Sequence, residues 1–159
     1  VPIFYNHKNT GRPEGFYESV FITKYLDSPN QPLFPFGYGL SYTTFEYSEI
    51  QMEDKQLTRD GKLNVSVKVK NTGKYKGTET VQLYIRDLVA SVTRPVKELK
   101  SFRKVELKPG EEKKVEFVIT EKDLRFWNDK KQFISEPGKF HLFIGTDSEN
   151  VKKAEFVLL

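Results

Sequence analysis

The chain has 159 residues, which is enough for one ordinary domain and an additional segment but not for two full domains. It contains no cysteine, which excludes disulfide bonds, thiol nucleophiles and thiolate metal sites. Its net charge is +4, but lysine and glutamate alternate closely, a pattern typical of a solvated surface rather than a nucleic-acid-binding stripe. No stretch approaches the roughly 18 uninterrupted apolar residues of a membrane helix, and no signal peptide is recognisable. We therefore expect neither a nucleic acid nor a membrane as a partner.

The composition changes near residue 45. Eleven of the 22 aromatic residues lie in residues 1–45, and five of the eight prolines interrupt the same segment. This segment has no sustained helical or strand period, so we expect it to form no core of its own. We interpret residues 1–44, called the strap below, as an irregular segment that packs against a larger neighbour.

From Phe45 onward, apolar and polar residues alternate with period two, which is typical of half-buried strands. In residues 81–85 the odd-numbered positions are predicted to point inward, and the even-numbered ones, Gln82 and Tyr84, outward. The other clear strands are predicted at residues 63–69, 115–119, 140–144 and 156–158.

Two weaker strands, residues 45–52 and 99–107, alternate only if one residue is skipped, which predicts a bulge in each. Residues 120–124 predict a short helical turn capped by Thr120. Seven short strands separated by turn signals predict an all-β fold, an immunoglobulin-like (fibronectin type III-like) β-sandwich preceded by the irregular strap. A single-sheet barrel is the alternative. The predicted division is residues 1–44 and residues 45–159.

Several motifs carry a resemblance to a known family. The run PLFPFGYGLSYTTF at residues 32–45 resembles the junction of glycoside hydrolase family 3 that leads from an α/β domain into a fibronectin type III-like domain. VKNTG at 69–73, SVTRP at 91–95 and EPGKF at 136–140 are similar to that third domain. YNHKNTGRP at 5–13 is similar to the family's periplasmic β-glucosidase branch.

The resemblance implies a retaining β-glucosidase parent that cleaves terminal β-D-glucosyl residues. Its nucleophilic aspartate lies on a (β/α)₈ barrel, which needs roughly 250 residues, so it and the general acid belong upstream of this chain. We therefore expect no catalytic residue, cofactor or metal site here, and a role in buttressing the catalytic domains. The implied partners are the upstream barrel and α/β domains of the same polypeptide, a homodimer being left open. The implied location is periplasmic or secreted.

One cluster has the composition of a sugar contact. His7, Lys8, Asn9 and Arg12 place several hydrogen-bonding side chains within a short stretch. The resemblance puts this stretch late in the α/β domain, beside the substrate cleft. The competing interpretation is an interdomain loop in which Asn9, with nearby glycine and proline, makes turns.

For the other candidate binding residues, the sequence favours structural roles. The aromatic residues 34–42 are interpreted as a packed linker rather than a sugar-stacking platform. Trp127 is interpreted as an apolar plug at the sandwich edge, since it follows Leu124 and Phe126. Residues 145–148 have too few oxygen ligands for calcium and predict a turn. A carbohydrate-binding module, which would expose a row of aromatic side chains on one sheet face, is the alternative function.

Overall fold

The computed structural model describes residues 4–8, 25 and 27–159. Within them lie eleven strands and one 3₁₀-helix, Glu121–Leu124. The strands are β1 Phe45–Tyr47, β2 Gln51–Met52, β3 Gln56–Leu57, β4 Lys62–Asn71, β5 Gly77–Asp87, β6 Glu98–Leu107, β7 Glu112–Thr120, β8 Phe126–Trp127, β9 Phe133–Ile134, β10 Gly138–Gly145 and β11 Val151–Leu158. No helix in this described part of the chain is long and apolar enough to cross a membrane.

The first sheet is built around β4. Val69 of β4 pairs with Tyr47 of β1 on one side and with Lys113 of β7 on the other, in antiparallel register. Farther along the same edge as β1, β2 pairs with β4 through Gln51 and Ser66. The weak strand predicted at residues 45–52 is thus real but interrupted at residues 48–50, where the alternation slips.

The second sheet has the order β3-β11-β10-β5-β6, and its neighbours are antiparallel except for β3 and β11, which are parallel. Between β5 and β6 the register shifts, because Leu83 faces Ser101 while Tyr84 faces Leu99. This bulge accounts for the skipped residue predicted in 99–107.

The inward-facing side chains of the two sheets form one core. Val65 and Val67 of the first sheet and Leu83, Leu142 and Ile144 of the second are all buried in it. Burying each such side chain contributes roughly 1.5–3 kcal/mol, so the alternation of the sequence is what closes the sandwich. The predicted fold class, an all-β fibronectin type III-like sandwich, is confirmed. The domain boundary at residue 45 stays a prediction.

Two residues that point outward as predicted are nevertheless buried. Tyr84 has 0% and Gln82 has 6% of its surface exposed, although both lie on the outer face of β5. The strap covers them, with the ring of Tyr5 5.8 Å from that of Tyr84. Strand periodicity separates the two faces of a sheet, but it does not tell whether a distant segment covers the outer one.

The prediction that Trp127 is a buried plug is wrong, since its side chain is 66% exposed. Its neighbour Phe126 is buried instead, beneath the guanidinium of Arg94 at 4.4 Å from the ring centroid. Trp127 pairs with Phe133 across the small β8–β9 hairpin, and their rings are 5.3 Å apart. Because Phe126 and Trp127 are consecutive strand residues, only one of them can face the core.

The predicted turns are confirmed. Thr120 occupies the N-cap position of the 3₁₀-helix, and its amide and hydroxyl donate to the Asp123 carboxylate at 2.7 and 2.8 Å. At residues 145–148, Asp147 Oδ1 accepts the amides of Glu149 and Asn150, both at 2.8 Å.

Candidate functional site

The strap is fastened to the outer face of the second sheet by a cluster that we call the clasp: Tyr5, Phe36 and Gly37 of the strap with Gln82 and Tyr84 of β5. The rings of Tyr5 and Phe36 are stacked, with centroids 4.1 Å apart. Tyr5 in turn meets Tyr84 edge to face, an arrangement that aromatic quadrupoles favour. The strap thus begins its contact with the sandwich through three aromatic rings.

The polar part of the clasp is centred on Gln82. Its Nε2 donates to the carbonyl oxygens of Gly37, at 3.1 Å, and Thr146, at 2.5 Å, while its Oε1 accepts the Tyr84 hydroxyl at 2.6 Å. Burial raises the pKa of Tyr84, so its hydroxyl stays protonated and remains a donor. Gly37 has φ +82°, a conformation that suits glycine, and an added Cβ would lie 2.2 Å from the Gln82 side chain.

A second contact joins the strap to the loop between β5 and β6. The Val96 amide donates to the carbonyl of His7 at 2.9 Å, and Lys8 forms an isolated antiparallel bridge with Pro95. The structure therefore brings two of the predicted sugar-contact residues, His7 and Lys8, together against this loop. The other two, Asn9 and Arg12, lie outside the described residues, so the predicted cluster stays a prediction.

Lys97 links the same loop to the clasp. Its Nζ donates to the carbonyl of Ser148 and lies 4.9 Å from the ring centroid of Phe143. Burial lowers the pKa of Lys97, against the opposing influence of Glu149 and Asp147. The Ser148 amide donates to the Phe36 carbonyl at 2.9 Å. The half-buried ammonium of Lys97 thus contacts the turn that holds the strap.

Several apolar side chains of the strap are exposed to solvent. Leu33, Phe34, Leu40 and Tyr42 are 88%, 62%, 89% and 96% exposed. Phe36, which lies in the clasp, is itself 46% exposed. The interpretation of residues 34–42 as a packed linker stays a prediction. An exposed apolar patch of this kind marks an interaction surface. Among the described residues no group of three or more His, Asp or Glu side chains is placed to hold a metal ion.

The contribution of Gln82, Tyr84 and Lys97 was missed by the sequence reasoning. The available signal was the pair Gln82 and Tyr84 on an outer strand face, where a large aromatic ring is unusual if that face meets water. Together with a strap rich in aromatic residues, such a ring indicates a covered face.

One buried carboxyl near this loop gives a pH-dependent prediction. Asp87 is 8% exposed, and its burial raises its pKa to about 6, although the Val89 amide and Arg94 oppose the shift. Its pKa is about 3.9 in an unfolded chain, so the folded state binds more protons between these values. The stabilising contribution of Asp87 is therefore fully present below about pH 4 and falls by about 2 kcal/mol as the pH rises to about 6. Unfolding in urea across this range should show that the difference in unfolding free energy between the parent sequence and Asp87→Asn changes by about this amount; a difference that stays constant with pH would contradict the assignment.

Comparison with known proteins agrees with this architecture. The family model of the fibronectin type III-like domain matches residues 79–148. The periplasmic β-glucosidase of Salmonella typhimurium is 49% identical over 160 residues, covering 100% of this chain and 21% of that protein. Thermostable β-glucosidase B of Acetivibrio thermocellus is 46% identical, covering 89% of this chain and 19% of that protein.

A solved structure gives the same result. The β-glucosidase of Listeria innocua in complex with gluconolactone superposes with a TM-score of 0.92 at 42% identity, covering 99% of this chain and 22% of that one. This chain thus spans about a fifth of the length of the curated relatives it matches. Over nearly its whole length the chain is thus similar to a part of these β-glucosidases, and that part includes a fibronectin type III-like domain.

Proposed function

We propose that this chain is the non-catalytic accessory part of a β-glucosidase and that it buttresses the catalytic domains of the same polypeptide. The observation that carries the proposal is the strap. One side of it is fixed to the sandwich by the clasp, while Leu40 and Tyr42 are 89% and 96% exposed on the other. An exposed apolar surface beside a fixed contact of this kind is suited to docking against a neighbouring domain.

The activity proposed for the whole protein is hydrolysis of terminal β-D-glucosyl residues. It is supported by the β-glucosidase names of relatives that are about five times as long as this chain. The periplasmic β-glucosidase of Salmonella typhimurium supports a periplasmic or secreted location. The docking partners in this proposal are the barrel and α/β domains that precede the strap.

The proposal is tested by assaying the purified chain on an aryl β-glucoside beside the full-length protein. We expect turnover by the full-length protein and none by the chain alone, since a retaining glycosidase needs two carboxylates roughly 5 Å apart across a sugar pocket. Turnover that persists through repurification and disappears on changing a carboxylate of residues 1–159 would contradict the proposal.

A carbohydrate-binding module is the second candidate, and one observation favours it. Trp127 and Phe133 form an exposed aromatic pair on a hairpin that is fixed from beneath by buried Phe126. Titration with glucose, cellobiose or laminarin separates the two candidates. The accessory role predicts no saturable binding at millimolar sugar, whereas saturable binding that Trp127→Ala abolishes would favour the binding module.

A further inference from the structure

A cavity of about 660 Å³ lies at the end of the sandwich where the strap enters β1. It is bordered by residues 37–43 of the strap, by β1, by the start of β5 and by the turn between β10 and β11. Its volume falls within the range of small-ligand sites in proteins. It adjoins the clasp at Gly37 and the exposed apolar residues of the strap at Leu40.

The most unusual group in its wall is the carboxylate of Glu79, which is 7% exposed. Its Oε1 accepts the hydroxyl of Tyr47 at 2.7 Å. Burial and then the charge of Glu79 raise the pKa of Tyr47, so the hydroxyl remains a donor. No described residue forms an ion pair with Glu79. A buried carboxylate that has a hydroxyl partner but no cation can accept a cationic ligand as well.

The remaining charges of the wall do not compensate Glu79. Among the described lining residues, Glu46 is a second acid and Lys152 is the one base. The Lys152 ammonium is 2.7 Å from Glu49 Oε1 and is therefore paired elsewhere. The wall is thus acidic although the chain as a whole carries a net charge of +4.

The uncharged residues of the cavity wall indicate which kind of cation would fit beside Glu79. The half-buried residues Phe45 and Tyr47 supply aromatic surface. A guanidinium is planar, stacks on aromatic faces and carries five donors for carboxylate and hydroxyl oxygens. An ammonium ion is more strongly hydrated and gains less from such a wall.

We propose that this cavity binds a guanidinium group, held by Glu79 and by the rings of Phe45 and Tyr47. The proposal rests on the accessory role, because the first source of such a group is an arginine side chain of the preceding domains of the same polypeptide. The second source is a free guanidino compound. Both sources present the same chemistry to the cavity.

The test is a titration of the isotope-labelled chain with methylguanidinium chloride, followed by amide chemical shifts. We expect saturable shifts at Glu79, Thr80 and Gly145. Urea, the neutral analogue, and sodium chloride at equal ionic strength should give none. Equal responses to urea and methylguanidinium, or no saturable response, would overturn the proposal, and this comparison needs no variant.

Charge removal supplies the second measurement. Glu79→Gln is expected to weaken methylguanidinium binding by about tenfold or more, since it removes a charge-assisted hydrogen bond. The matched control, Glu116→Gln on the exposed face of β7, should bind as the unchanged chain does. An unchanged affinity in a folded Glu79→Gln variant would overturn the assignment to Glu79.

Repeating the titration on the full-length protein distinguishes the two sources. If an arginine of the preceding domains occupies the cavity, methylguanidinium shifts are lost there; if the ligand is a free compound, they persist with similar affinity. If no titration shows methylguanidinium binding, the guanidinium site is rejected. The accessory role would still stand, because the glucoside assay tests it separately.

Discussion

Replacing Asn71 by alanine is expected to lower the free energy of unfolding by about 3–5 kcal/mol. Asn71 is 0% exposed, and its side chain makes four hydrogen bonds. Its Nδ2 donates to the carbonyls of Tyr75 and Leu107, at 2.8 and 3.0 Å. Its Oδ1 accepts the Thr43 hydroxyl at 2.6 Å and the Gly73 amide at 3.0 Å. The substitution leaves these groups without their partner in a closely packed corner, and each unsatisfied group costs about 1 kcal/mol or more.

Equilibrium unfolding in urea measures the effect, with Asn64→Ala as the control. Asn64 is an exposed residue of the same strand, and its amide donates to Glu53 at 2.7 Å. We expect its substitution to cost less than about 0.5–1 kcal/mol. Equal losses in the two variants would contradict the role given to Asn71.

Replacing Tyr84 by alanine is expected to cost about 3–5 kcal/mol, the usual range for truncating a buried aromatic side chain. The structure predicts a more specific consequence as well, which is release of the strap. The amides of Ser148 and Val96 both donate to strap carbonyls, those of Phe36 and His7. Their hydrogen exchange should accelerate more than that of Val67 in the core of β4.

Two control variants distinguish the effect of losing the Tyr84 ring from that of losing its hydroxyl and from that of losing any tyrosine side chain. Tyr84→Phe keeps the ring and should cost about 1 kcal/mol, through the lost hydrogen bond to Gln82. Tyr75→Ala removes a tyrosine that is 65% exposed and should leave the exchange of Ser148 and Val96 unchanged. If Tyr84→Ala lowers stability without accelerating these two amides, the clasp does not hold the strap.

The sandwich could be predicted from the sequence because the alternation of apolar and polar residues within each strand is a local pattern. Alternation at Leu63, Val65, Val67 and Val69 reflects one face against a core, and each of these residues is buried. The short strands β3, β8 and β9 were not predicted, since two-residue strands are too brief to establish a period.

The clasp could be predicted only in part from the sequence, for a physical reason. The aromatic content of residues 1–45 predicted a segment that packs against another surface. Nothing in the sequence of β5 identified Tyr84 as part of that surface. Contact between Tyr5 and Tyr84 depends on how the chain folds over a long separation, which residue periodicity does not encode. The cavity beside Glu79 has the same origin, because its walls come from four separate parts of the chain.

The central claim is that the exposed side of the strap is a docking surface for the rest of the enzyme. Hydrogen exchange of peptides covering residues 31–44, compared between the isolated chain and the full-length protein, tests it most directly. We predict exchange at least about tenfold slower in the full-length protein, with β4 peptides as an internal reference that changes little. Equal exchange of residues 31–44 in the two proteins would contradict the claim.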